Sequence, residues 1–166
     1  MKKLQINYAF IDGNNLHLTM KYLGWELDYG KFRVYLSEKY GVAKAYYFIG
    51  YVAENADLYM ALQSYGYVVV FKPTLRINGE VKGNCDAELV LQAMIDLHAY
   101  QKAVIVTSDG DFAWLVKYLK QKNKLLCVLA PCLKRCSHLL KKAAQTQIAF
   151  MDGLRRKLEY KEKRTP

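Results

Sequence analysis

The chain has 166 residues, of which 52% are hydrophobic, and its formal net charge at pH 7 is +10. This length predicts a single domain with a sizeable core, and no apolar run approaches the roughly 20 residues that a membrane helix needs. Polar residues interrupt the first dozen positions, which excludes a signal peptide, so we expect a cytoplasmic protein with no membrane partner and with its four cysteines reduced.

Strand and helix patterns alternate along the chain. In chain order, the predicted elements are strand Leu4–Ile11, helix Leu16–Leu23, helix Tyr29–Tyr40, strand Val42–Tyr51, helix Ala53–Tyr65, strand Tyr67–Lys72, helix Asp86–Tyr100, strand Ala103–Thr107, helix Asp111–Gln121, strand Leu125–Ala130, a helix from Ser137 to Ala144, and strand Ile148–Met151. Between Thr74 and Lys82, Asn78-Gly79 predicts a small protruding hairpin. Repeated β-then-α units imply an α/β fold with a mostly parallel sheet and helices on both faces. We expect one domain over residues 1–153, followed by a basic C-terminal tail over residues 154–166.

The positive charge is concentrated in the last third of the chain. Residues 112–151 hold eight Lys and Arg and no Asp or Glu, whereas residues 1–111 are close to neutral. Such asymmetry is typical of proteins that bind nucleic acid or another polyanion, although a solvated lysine-rich surface gives the same pattern. The candidates for contacts with a phosphate backbone are Lys134, Arg135, Lys141, Lys142, Arg155, Arg156 and Lys157.

Aspartates occur where an α/β enzyme carries its chemistry. Asp12 follows the first strand, Asp86 opens a helix, and Asp109 and Asp111 follow the strand Ala103–Thr107. Each has an ordinary structural alternative, either in a turn or as a helix cap. Those alternatives do not explain why three elements offer carboxylates at one sheet edge, where close pairs repel by about 1–4 kcal/mol unless a divalent cation neutralises them.

Three segments carry a resemblance to a known family. They are Phe10-Ile11-Asp12-Gly13-Asn14-Asn15-Leu16, Lys82-Gly83-Asn84-Cys85-Asp86 and Thr107-Ser108-Asp109-Gly110-Asp111-Phe112. In order and spacing they resemble the motifs of NYN domains, a branch of the PIN-like nucleases that includes LabA-type proteins. The resemblance implies a three-layer α/β/α PIN-like (Rossmannoid) fold and metal-dependent cleavage of RNA, either single-stranded or structured.

The resemblance also implies roles for individual residues. The catalytic acids that would bind Mg²⁺ or Mn²⁺ are Asp12, Asp86, Asp109 and Asp111. The residues that would orient the carboxylates or the substrate are Asn15 and Thr107, and Lys82 would contact a substrate phosphate unless it is a solvated hairpin lysine.

The chain departs from the family pattern in three places. One extra residue, Asn84 or Cys85, separates Lys82-Gly83 from Asp86. Asn14 and Gln92 stand where members often have acids, and Asp96 lies one turn too far along to replace the second. A catalytically degenerate RNA-binding or regulatory module of the same fold therefore stays open. A phosphatase of the haloacid-dehalogenase type, which also uses an Asp after the first strand, ranks lower because Asn14 occupies the third position of its Asp-x-Asp motif.

Cysteine and tyrosine residues offer two further candidates. The spacing of Cys127, Cys132 and Cys136 does not match a zinc site, and buried thiols are the ordinary outcome in apolar strands. Most of the 14 tyrosines are expected in the core, at the sheet edge or between two copies in a homodimer, while Tyr51 near a strand end is also suited to stacking on RNA bases.

Overall fold

The structure is a computed structural model that describes residues 6–162, apart from the side chain of Val81. Its strands are β1 (Asn7–Asp12), β2 (Val42–Tyr51), β3 (Tyr67–Pro73), β4 (Leu75–Ile77), β5 (Glu80–Lys82), β6 (Ala103–Val106), β7 (Leu125–Ala130) and β8 (Ile148–Phe150). Its helices are α1 (Gly13–Leu23), α2 (Tyr29–Tyr40), α3 (Ala56–Ser64), α4 (Asp86–Ile95), α5 (Ala113–Gln121), α6 (His138–Ala144) and α7 (Arg155–Leu158). None of the helices within residues 6–162 has the length and apolar character needed to cross a membrane.

Six strands form one parallel sheet in the order β3-β2-β1-β6-β7-β8. The chain builds outward from β1 to β3, returns to the other side of β1 at β6, and builds outward again to β8. The winding direction therefore reverses between β1 and β6, and a crevice opens at such a switch point beyond the carboxyl ends of the strands. Ile11 lies opposite Val106, so Asp12 and the residues that follow β6 reach this crevice side by side.

Helices cover both faces of the sheet. Side chains alternate along β1, so that Ala9 and Ile11 join the core beneath α1, α2, α3 and α7, whereas Tyr8 and Phe10 join the core beneath α4, α5 and α6. The predicted α/β class and the three-layer α/β/α arrangement are confirmed.

The predicted helix boundaries agree best with the structure where the sequence supplies a capping residue. Helix α2 has its predicted bounds, because the Asp28 carboxylate accepts a hydrogen bond from the Lys31 amide and Gly41 ends the helix with a φ of 63°. The predicted helix from Asp86 to Tyr100 was too long, since α4 ends at Ile95 and the next residues form tighter turns. Residue 4, where the first strand was predicted to begin, lies outside the described residues.

The hairpin predicted from Asn78-Gly79 is present as β4 and β5, outside the main sheet. Both turn residues have positive φ, 52° and 80°, as a two-residue hairpin turn requires. Its base is fixed by Thr74, whose methyl carbon would lie 2.7 Å from a β-carbon on Gly50 and 2.6 Å from one on Gly83. The Thr74 hydroxyl also donates to the Tyr51 carbonyl at 2.6 Å. The segment that leads into α4 is thereby held against the end of β2.

The described part of the basic tail packs on the domain. Leu158 is fully buried beneath the same sheet face as α2. The Asp28 amide donates to the Leu158 carbonyl at 2.8 Å, and the Tyr160 amide donates to the Glu26 carbonyl at 2.8 Å. A division of the chain near residue 154 stays a prediction.

Candidate metal centre

Three of the four predicted acids converge. One carboxylate oxygen from each of Asp12, Asp86 and Asp109 lies within 4.8 Å of the other two. Asp12 ends β1, Asp109 follows β6, and Asp86 is the first residue of α4. The carboxyl ends of two adjacent parallel strands and the start of one helix thus supply the cluster, and all three residues are partly buried.

A network of hydrogen bonds holds Asp12 and Asp109 in place. Asp12 accepts from the Asn15 amide at 3.1 Å and from the Thr107 hydroxyl at 3.0 Å. The same Thr107 oxygen accepts from the Asp109 amide at 3.1 Å. The Asn15 side-chain oxygen accepts from the Ser108 amide at 2.9 Å. The buried Thr107 hydroxyl and the Asn15 side-chain amide therefore join the ends of β1 and β6, which is consistent with the orienting role predicted for these two residues.

Asp86 is positioned by its own sequence neighbour. The Asn84 side-chain oxygen accepts from the Asp86 amide at 2.8 Å, and the Asn84 side-chain amide donates to the Asp86 carboxylate at 2.9 Å. The N-cap residue Cys85 makes no side-chain cap bond, so it is Asn84 that satisfies the Asp86 amide, and the Asp86 carboxylate is directed to the cluster.

Lys72 fixes the same segment from β3, a role that the sequence analysis missed. Its ammonium donates to the Asn84 carbonyl at 2.7 Å and forms an ion pair with Glu88 at 3.1 Å. The available signal was a lysine at the carboxyl end of a predicted strand, at the same sheet edge as the acids.

Asp111 lies at the rim of the cluster. Its amide donates to the Asp109 carboxylate at 3.0 Å, so Asp109 caps the short 3₁₀ turn Gly110–Phe112. This turn buries Phe112 and leaves Asp111 exposed. Within the described residues, Asp111 is outside the group whose oxygens lie within 4.8 Å. Its predicted role in metal binding stays a prediction.

Burial and mutual repulsion make the cluster electrostatically unfavourable without a cation. The pKa of Asp12 is raised from 3.8 to about 6: burial is the main cause, the negative charges of Asp86 and Asp109 also raise it, and the hydrogen bonds from Asn15 and Thr107 lower it. Burial likewise raises the pKa of Asp86. A cation that replaces the proton on such a carboxylate relieves both effects.

Comparison with known proteins identifies the family. The model of the NYN domain matches residues 8–152. The chain belongs to the NYN domain family. The Low amplitude and bright protein LabA of Synechococcus elongatus (strain ATCC 33912 / PCC 7942 / FACHB-805) is 26% identical over 132 residues, which cover 73% of this chain and 71% of that protein. The predicted NYN and LabA-like resemblance is confirmed.

A solved structure shares the fold of this NYN domain. It is the crystal structure of a protein of unknown function from Vibrio parahaemolyticus RIMD 2210633, with a TM-score of 0.77 and 20% sequence identity. The match covers 96% of this chain and 99% of that one. At this identity the likeness supports the three-layer architecture.

In this NYN domain the acids face a cleft of about 800 Å³. The cleft is bounded by α1, the carboxyl end of β2, the hairpin base and the start of α4, and its lining includes Asn14, His17 and Lys82. Gly13 permits the close approach of α1 and β2, because a β-carbon there would meet the Tyr47 ring and lie 2.6 Å from the Phe48 carbonyl oxygen. Lys82 is exposed on the cleft wall.

The positions where the NYN domain departs from its family pattern have local roles. Gln92 donates to the Asp96 carboxylate at 3.1 Å, and the Tyr46 hydroxyl donates to the same carboxylate oxygen at 2.6 Å. Asp96 therefore joins α4 to β2 and is committed to that contact. Asn14 is exposed at the cleft and leaves the cluster without a further carboxylate there.

Proposed function

We propose that this NYN domain is a ribonuclease that hydrolyses RNA phosphodiester bonds with Mg²⁺ or Mn²⁺ held by Asp12, Asp86 and Asp109. The observation that carries the proposal is the approach of these three carboxylates to within 4.8 Å at the switch point between β1 and β6. Membership in a family of PIN-like nucleases supports the same reaction class.

The residues present fit a hard divalent cation. All three donors are carboxylate oxygens, the ligand type that Mg²⁺ and Mn²⁺ prefer, and the cleft leaves room for water and substrate oxygens. A cation bound there supplies Lewis acidity and lowers the pKa of a water molecule for attack on phosphorus. Thr107 and Asn84 keep Asp12 and Asp86 directed at this point, so binding requires little rearrangement of the protein.

The surroundings of the cluster support a nucleic acid substrate. Lys82 lies on the cleft wall and would contact a substrate phosphate. Asp111 lies at the rim and would bind the metal from the outer side of the cluster. Residues 112–151, which begin directly beyond this rim, contain eight Lys and Arg and no acid. Such a basic region attracts a polyanion toward a site that is itself acidic.

The test is cleavage of end-labelled single-stranded and structured RNA by the full chain. We expect turnover with Mn²⁺ or Mg²⁺ and none in EDTA. Removing a residue that only supports a metal ligand lowers metal affinity or activity about 10- to 100-fold, so removing the ligand itself in Asp109→Asn should lower the cleavage rate by at least that factor. The matched control is Asp57→Asn, an exposed aspartate in the first turn of α3, which should keep wild-type turnover. Cleavage in EDTA, or cleavage that survives Asp109→Asn, contradicts the proposal.

A second candidate is an RNA-binding or regulatory module without turnover, favoured by the amide side chains of Asn14 and Gln92. It predicts RNA binding that weakens steeply with salt and no cleavage with either ion. Turnover by the wild type that is lost in Asp109→Asn excludes this candidate.

A further inference from the structure

Trp114 is exposed near the start of α5. Its side chain is 80% exposed, whereas its neighbours Leu115 and Val116 are buried in the core. Asp111, Trp114 and Lys117 are all exposed and follow one another at a spacing of three residues. Residues at this spacing lie on one side of a helix, so the indole ring begins one turn from the rim of the proposed metal site.

A second exposed apolar side chain lies next to the same turn. Leu139 of α6 is 62% exposed, and its β-carbon would be 3.6 Å from a β-carbon on Gly110. The turn that carries Asp109 and Asp111 is therefore flanked by exposed apolar groups from two helices.

The charge around Trp114 favours an anionic partner. The Lys117 ammonium lies 5.0 Å from the centre of a Trp114 ring, and both residues belong to the acid-free stretch 112–151. An aromatic face within a basic surface is the combination that binds single-stranded nucleic acid, because phosphates contact the cations while an unpaired base stacks on the ring. Bases in the interior of an RNA duplex are stacked on both faces, so only the two terminal pairs have a free face.

We propose that Trp114 is a stacking platform for an unpaired base of an RNA strand that occupies the acidic site, which makes single-stranded RNA the preferred substrate. This inference rests on the proposed ribonuclease function and adds the substrate class and a residue that selects it. Trp114 acts by holding the strand and takes no part in the bond cleavage.

Tryptophan fluorescence can report RNA binding at Trp114, because the chain has two tryptophans and the other one, Trp25, is only 9% exposed. The full chain is titrated with a 12-nucleotide oligouridylate and with a blunt RNA duplex of equal length, in EDTA so that binding is measured apart from cleavage. We expect the oligouridylate to quench the wild-type emission and to bind at least tenfold more tightly than the duplex.

Two substitutions at one position separate stacking from other roles. Trp114→Ala should weaken oligouridylate binding about 5- to 150-fold, the range that loss of one stacked base gives. Trp114→Phe should keep most of the affinity, because a phenyl ring still stacks, and lose the quenching. The matched control Val34→Ala removes an exposed apolar side chain from α2, on the opposite face of the sheet, and should bind like the wild type.

Three outcomes overturn the stacking role of Trp114. They are no RNA binding by the wild type, equal affinity for single strand and duplex, and full affinity in Trp114→Ala. A wild-type dimer that becomes monomeric in Trp114→Ala, seen by sedimentation velocity, would assign the ring to a protein interface. Quenched binding that depends on Trp114, together with no cleavage under any metal, would instead retain the platform and remove the ribonuclease proposal.

Discussion

Replacing Asp12 with asparagine should stabilise the metal-free protein at neutral and alkaline pH. In the folded chain its carboxyl has a pKa of about 6, against an ordinary value of 3.8. At about 1.4 kcal/mol per pKa unit, ionising this group in the folded protein costs about 3 kcal/mol. Asparagine avoids that cost and remains a good helix N-cap, but it gives up the hydrogen bond from the Thr107 hydroxyl, worth about 1 kcal/mol. The expected net gain at pH 8 is therefore about 2 kcal/mol.

The sign of the pH dependence follows from proton binding. Between pH 3.8 and about 6 the folded protein retains a proton on Asp12 that the unfolded chain has lost, so stability falls as the pH rises through this window. Because the variant lacks the group, the difference between Asp12→Asn and wild type should grow by about 1.4 kcal/mol from pH 5 to pH 8. Urea unfolding in EDTA at both pH values measures this difference.

Manganese should reverse the order of stability. A cation present at 100 times its dissociation constant stabilises the wild type by about 2.7 kcal/mol, whereas the variant lacks a ligand and should gain little. Asp57→Asn, at an exposed position, should change the free energy of unfolding by less than about 0.5 kcal/mol at either pH. An Asp12→Asn protein that is less stable than wild type at pH 8 in EDTA, or a difference that does not vary with pH, would refute the reasoning.

Three further predictions concern the pH dependence of metal binding, the packing of Gly13 and the base of the hairpin. Binding of Mn²⁺ should tighten about tenfold from pH 5 to pH 7, because Asp12 must lose its proton first, and calorimetric titration showing a constant affinity would contradict this. Gly13→Ala should destabilise the fold by about 3 kcal/mol, since its β-carbon would meet the ring and carbonyl of β2, while Gly153→Ala, with nothing within 4 Å, should change stability by less than about 0.5 kcal/mol in the same thermal unfolding assay. Thr74→Val keeps the methyl contacts but removes the bond to the Tyr51 carbonyl, so it should cost about 1 kcal/mol and speed hydrogen exchange of the hairpin amides; unchanged exchange would show that the bond contributes nothing.

The approach of Asp12 and Asp109 could be predicted from the sequence because it depends on the sheet alone. Apolar runs predicted the strands, and parallel strands bring their carboxyl ends to one edge, so Asp12 and Asp109 had to lie near each other once β1 and β6 were neighbours. The approach of Asp86 followed from the family resemblance, since its place depends on how the hairpin base and α4 are anchored.

Other features depend on side-chain contacts that no local pattern specifies. The exposure of Asp111 results from a tight 3₁₀ turn that buries Phe112 in its place. The contacts of Lys72 join residues that are 12 and 16 positions away. The helix predicted to reach Tyr100 ends early although Leu97 and Tyr100 remain buried, so the apolar pattern continues beyond the helix and conceals its end.

The contact of Thr74 with Gly50 and Gly83 distinguishes the base of the hairpin from its tip. Its base is interlocked with the end of β2 and fixes the approach to Asp86, whereas its turn residues, Asn78 and Gly79, are exposed. Insertions or new side chains at the tip therefore leave the acids undisturbed. Evolution, or an engineer, can exchange the tip of this hairpin while the acidic cluster keeps its geometry.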